Sequence, residues 1–206
     1  QKPVKEIENY RANKCHYTDK KIDCYTTFDG IKGRTLDMTV ELSGEEYHDF
    51  TVEMACDDEY STAFTYNRVA GVLEIDRTCC GVTKDVVCVR KIKIADTDRK
   101  LKLRFIVDRQ SIELFINDGQ QVATTAICTP LQADGICFNC DGSAVVDIEK
   151  YDIQNGVAKN IYDTFIEYDK SKESYYKENY EKFLDEIDQT FLKSKEKLNS
   201  CEVQYI

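Results

Sequence analysis

Between Leu101 and Gly119 apolar and polar residues alternate with a period of two: Leu101, Leu103, Phe105 and Val107, then Ile112, Leu114 and Ile116. Successive side chains of a strand point to opposite faces, so this spacing predicts two strands that each bury one face. Asp108, Arg109 and Gln110 form a polar corner between them. Asn117-Asp118-Gly119 is a hairpin signal ahead of a third strand, Gln121 to Ile127. The stretch reads as a three-strand meander.

The same period recurs on both sides of it. Leu36, Met38, Val40 and Leu42 alternate with Asp37, Thr39 and Glu41, and Phe50, Val52, Met54 and Cys56 alternate with Thr51 and Glu53. Val86 to Ile94 is a β-branched run, and Ala144, Val146 and Ile148 alternate near the end of the series. Short strands separated by polar turns predict an all-β antiparallel sandwich of jelly-roll or lectin-like type over residues 22–155. The only prolines, Pro3 and Pro130, interrupt none of these runs. Residues 1–21 read as a polar linker with a short helical piece.

After Gly156 the pattern changes. Residues 157–206 contain neither Gly nor Pro, and Tyr176, Tyr180, Phe183, Leu184, Ile187 and Phe191 recur at three- and four-residue steps. That is the spacing of an amphipathic helix. Ile161, Tyr162, Phe165 and Tyr168 follow the same rule. Residues 156–206 are therefore expected to form a helical extension, used to pack on a neighbouring surface or to pair with a second copy as a homo-oligomer.

Composition narrows the function classes. A chain of 206 residues is long enough for a real core, and its net charge of −10 disfavours nucleic acid or an anionic membrane as partner. No apolar run approaches the length of a transmembrane helix, and the first residues, QKPVKEIENYR, lack the apolar region of a signal peptide. Ten cysteines at irregular spacings, two of them adjacent, favour a reduced, cytoplasmic-type protein over a disulfide framework.

The residues also carry a resemblance. Leu101–Gly119, LKLRFIVDRQSIELFINDG, is similar to the "LRIFVDRSSVEVFVNDG" stretch in the C-terminal β-sandwich of glycoside hydrolase family 32, the invertases, levanases and inulinases. Gly71–Gly81 resembles the family's "LTLDRSxSG" segment, some thirty residues earlier, in the right order. PVKEIENYR resembles its "PVEEIESLR" linker between propeller and sandwich. The resemblance covers roughly residues 1–153. It implies that residues 1–21 follow a catalytic propeller and that the propeller is the sandwich's partner.

The family's catalytic carboxylates lie in propeller motifs resembling "WMNDPNG", "RDP" and "EC". This chain has no Trp and none of these motifs, so no catalytic residue is carried over and the chain alone is expected to be inert. Related sandwiches, the family 66 carbohydrate-binding modules, grip terminal fructose of fructan with acidic, Arg and Tyr side chains. That likeness makes Tyr66, Asp76, Arg77, Asp108, Arg109 and Glu113 candidate sugar ligands. The alternative is an ion-pair cluster pinning two turns, since Arg forks suit carboxylates and hydroxyls alike. Cys137-Phe-Asn-Cys140 has metal-knuckle spacing, and Cys79-Cys80 is a second thiol pair, but His16 and His48 lie far away in sequence. By the resemblance Cys137 and Cys140 read as ordinary strand residues, and no metal or cofactor is expected.

Overall fold

The computed structural model describes residues 1–81, 87–94 and 101–154, with helical positions at 174–175, 177–179, 181–182, 185–186 and 189. The chain divides into two units, Gln1–Gln154 and Asn155–Ile206.

The first unit is an antiparallel β-sandwich. A 3-10 helix, Lys5–Tyr10, leads into nine strands: β1 (Arg11–Ile22), β2 (Leu36–Cys56), β3 (Thr62–Asn67), β4 (Val72–Asp76) and β5 (Val89–Lys93), then β6 (Leu101–Asp108), β7 (Ser111–Ile116), β8 (Gln121–Ala126) and β9 (Gly135–Ile153). All pairings among them are antiparallel. The order is β5-β4-β3-β2-β6-β7-β8, with β9 also on β2 and β1 on β9.

Two layers arise because β2 and β9 are long and bent. The first half of β2, Leu36–Leu42, pairs with β6, and its second half, Asp49–Met54, pairs with β3. Phe105 lies opposite Met38, and Phe64 lies opposite Val52. In a straight strand Met38 and Val52 would be roughly 46 Å apart. Yet the Phe64 and Phe105 rings meet edge-to-face at 5.1 Å, so β2 must fold back on itself.

The bend lies where the β2–β9 register shifts, between Ser43 and Glu46 and again between Tyr47 and Phe50. Gly44 (φ +100°) on β2 and Gly142 (φ +110°) on β9 supply the turn of the backbone. A β-carbon on Gly142 would sit 2.3 Å from the Glu46 carbonyl oxygen. The ribbon thus serves one half of itself to each layer, and Leu36, Met38, Phe50, Val52, Phe64, Phe105, Ile148 and their neighbours fill the space between.

Several expectations are corrected here. Leu36–Leu42 and Phe50–Cys56 are one continuous strand, because β9 bends with β2 and keeps the ladder intact where the sequence suggests a polar turn. The expected linker, residues 1–21, is a strand from Arg11 onward, paired to β9. Of the run Val86 to Ile94, Val89–Lys93 is a strand and Val86 lies outside the described residues. The amphipathic positions of the tail, Tyr176, Tyr180, Phe183, Leu184, Ile187 and Phe191, also lie outside them. The described positions of 174–189 are helical and exposed, with Lys182 bound to Glu178 at 2.8 Å one turn earlier.

Candidate functional site

Two Asp-Arg turns are brought to one end of the sandwich by hydrogen bonds distant in sequence. Asp76 closes β4, and its Oδ1 accepts hydrogen bonds from the Thr78 backbone amide at 2.8 Å and the Thr78 hydroxyl at 2.6 Å. The Arg77 carbonyl accepts from the Cys80 amide, and the Cys80 carbonyl from the Cys128 amide at 2.9 Å. Next to Cys128, the Ile127 amide donates to Gln110, inside the turn that joins β6 to β7. In that turn Asp108 Oδ1 accepts from the Arg109 amide at 2.7 Å. Asx-type bonds of this kind fix a tight turn without neighbouring strands.

Arg34 completes the end and was not singled out by the sequence pattern. Its buried guanidinium donates to Thr129 Oγ1 at 2.8 Å, to the Pro130 carbonyl at 2.8 Å, to the Ala133 carbonyl at 3.2 Å and to the Arg109 carbonyl. Desolvation pulls its pKa down from the ordinary value. One side chain therefore fastens the loop before β9 to the turn after β6. Arg77 Nε is buried without a hydrogen-bond partner at the same end.

The remaining candidates are Glu113 and Tyr66. Glu113 is exposed on β7, on the face opposite inward Ile112 and Leu114, where it lines a groove of about 550 Å³ with Ile7, Ile106, Phe115 and Val122. Tyr66 lies on β3 opposite Leu73, whereas Asp76 lies opposite Ala63, three residues along that strand. Three residues of strand span roughly 10 Å. Tyr66 also packs against the core from within. So Asp76, Arg77, Asp108 and Arg109 share an end that Tyr66 does not join, while Glu113 lies on the face of Asp108, two residues beyond its partner Ser111.

Cys137 and Cys140 both lie in β9, but an odd separation along a strand sends them to opposite faces. Burial pushes the Cys140 thiol up to about 11, against the thiolate a metal requires. Among the described residues no group of three or more His, Cys, Asp and Glu side chains is placed to hold a metal ion. His16 Nε2 lies 3.2 Å from Thr18 Oγ1 in a polar surface groove with Glu41, Lys102, Asp147 and Glu149.

The strongest ion pairs are ones that no motif announced. Asp37, 1% exposed, sits between two guanidinium groups: Arg11 approaches to 2.6 Å, and Arg104 donates through Nε at 2.9 Å and Nη2 at 2.8 Å. Hydrogen bonding to Asp37 raises the Arg104 pKa. The cluster ties β1, β2 and β6 together. Its partners are 26 and 67 positions apart, so no local spacing could reveal them.

Residues 6–155 match the family model described as "Glycosyl hydrolases family 32 C terminal". The sucrose-6-phosphate hydrolase of Staphylococcus xylosus is 28% identical over 156 residues, covering 75% of this chain and 31% of the relative. The solved sucrose-6-phosphate hydrolase of Lactobacillus gasseri superposes with a TM-score of 0.62 at 25% identity, covering 75% of this chain and 30% of that one. The exo-inulinase of Aspergillus awamori shares the fold at a TM-score of 0.60 and 22% identity, over 68% of this chain and 29% of that one. The chain spans about a third of the length of the relatives it matches.

Proposed function

On the premise that the chain belongs to the family of C-terminal domains of glycosyl hydrolases family 32, we propose that it is the non-catalytic β-sandwich module of a β-fructosidase, stabilising a catalytic propeller. The extent of the match carries this reading: it runs through residues 6–155 of a family model described as a C-terminal domain, and takes up 31% and 30% of the two sucrose-6-phosphate hydrolases. The absence of Asn-Asp-Pro, Arg-Asp-Pro and Glu-Cys from the sequence agrees with it, because those carry the carboxylates of the reaction. The groove roofed by residues 1–7 adds support, since its apolar floor of Ile106, Phe115 and Val122 lies beneath the segment similar to the family's linker.

The purified chain, incubated with sucrose, sucrose 6-phosphate or levan, is expected to release no fructose. Release above the rate in buffer alone would overturn the proposal.

A second reading is favoured by the two Asp-Arg turns at one end: a fructan-binding site built from Asp76, Arg77, Asp108 and Arg109. Calorimetric titration with levan would then show binding that falls about tenfold or more in Arg77→Ala and Arg109→Ala, the loss of one charged hydrogen bond. A flat titration at millimolar sugar removes this reading and leaves the turns as fasteners of the sandwich.

A further inference from the structure

The last turn of β2 holds a feature that the strand alternation does not predict. By alternation Cys56 should face the core with Phe50, Val52 and Met54. The register instead slips between Met54 and Cys56: Met54 lies opposite Ile136, and Cys56 lies opposite Gly135. Ala55, with φ +51°, is the extra residue of a β-bulge. The slip puts Cys56 on the face of Gly135 and Cys137, away from Ile136 and Phe138. The two sulfurs there are 3.3 Å apart, about 1.2 Å more than an S–S bond of about 2.05 Å.

The surroundings of the pair are equally specific. Both cysteines are buried, at 7% and 6% exposure. The Tyr25 hydroxyl donates to Cys137 Sγ at 2.7 Å, and Tyr25 itself is 60% exposed. It is carried by a strap along the edge of β9, where Thr26 and Phe138 exchange backbone hydrogen bonds at 2.8 and 2.9 Å. Burial keeps the Cys56 thiol protonated, so its S–H is free to point at Cys137. The Tyr25 hydroxyl and the Cys56 thiol thus converge on Cys137 Sγ. One of them is a surface side chain that can swing aside by rotation about its own bonds.

We propose that Cys56 and Cys137 form a reversible oxidation site, closing a cross-strand disulfide between β2 and β9 when the protein meets a hydroperoxide. Cys137 gives up its thiol proton as it attacks: an S–O bond forms, the O–O bond of hydrogen peroxide breaks, and the departing hydroxide takes up that proton as water. Cys56 then attacks the sulfenic sulfur of Cys137. The S–S bond forms, the S–O bond breaks and a second water leaves. Two thiols lose two electrons in all, and one peroxide becomes two waters. The cross-link does not depend on the module role proposed above, since both sulfurs and the tyrosine belong to this sandwich alone.

The test uses the full chain, oxidised with a small excess of hydrogen peroxide, then unfolded and alkylated without reductant. Cys56 is the only cysteine between Thr35 and Arg68, and cleavage after Leu131 and Phe138 separates Cys137 from Cys128 and Cys140, so the map is unambiguous. The expected result is a peptide linking Cys56 to Cys137, lighter by about 2 Da than the sum of its reduced halves. Dithiothreitol should restore two alkylatable thiols. In Cys56→Ala, Cys137 should be caught by dimedone as the sulfenic acid. Both residues remaining fully alkylatable, or either passing to the sulfinic acid with no linked peptide, would overturn the proposal. The wild-type map stands even where a variant folds poorly.

Discussion

Lys150 occupies a position that the strand period reserves for an apolar side chain. It follows Ala144, Val146 and Ile148 on the inward face of β9, lies opposite Met38, and is only 4% exposed. A buried ammonium is tolerated only with a counter-ion, and Asp152, two residues along the same face, binds it while accepting Asn13 Nδ2 at 2.8 Å. Desolvation works against the Asp152 carboxylate, but the hydrogen bonds from Lys150 and Asn13 prevail and hold its pKa below the usual value. A carboxyl whose folded pKa is depressed stabilises the protein above its unfolded pKa, and that contribution is lost as pH falls through the folded one. Asp152→Asn should therefore cost about 1–2 kcal/mol at neutral pH, less than a fully buried pair because Asp152 is partly solvated. The difference from wild type should shrink as pH falls below the ordinary carboxylate range and vanish once Asp152 is protonated in the folded protein. Urea midpoints of both proteins across that range check the sign, and a penalty that persists in acid would refute the pairing.

At the scale of elements, strands with one buried face were legible and β1 was not. Leu101–Val107 and Ile112–Ile116 fall within a residue of β6 and β7, because both bury alternate side chains against the opposite sheet, whereas β8 buries only Thr125 and is signalled by the Asn117-Asp118-Gly119 turn ahead of it. β1 escaped notice for a physical reason. It pairs only with β9, most of its residues face solvent, and bulges at Asn13 (φ +48°) and Asp19 (φ +52°) break its alternation. Charged, bulged edges of this kind also discourage pairing with other chains. The site was legible only in part. Asp-Arg pairs within a turn are local signals, whereas the partners of Arg34 and Asp37 are set by the topology. The bend of β2 and β9 yields a graded prediction. Gly142→Ala places a β-carbon against the Glu46 backbone at an unfavourable φ and should cost about 3 kcal/mol or more. Gly44→Ala meets nothing closer than 3.8 Å and should cost about 1–2 kcal/mol, from backbone strain alone. Equal denaturation midpoints for the two variants would show that Gly142 is not a point of close packing.

For residues 1–154 as a whole, stability rests on contacts between distant parts of the chain. The shared β2–β9 ribbon has a consequence for the order of events as the chain is made. β2 is complete at Cys56, but its partner along the whole length starts at Gly135, with six other strands synthesised in between. Until then β2 has one open edge along both layers, and β1 has no partner at all. Closing so large a loop late makes for slow folding, on the order of milliseconds to seconds, and for a vulnerable half-made product. A chain stopped at residue 134 should gather into aggregates on gel filtration, whereas one stopped at residue 154 should elute as a compact species. β9 finishes the sandwich and is the last of the described strands to leave the ribosome, so birth of this domain is a wait for β9.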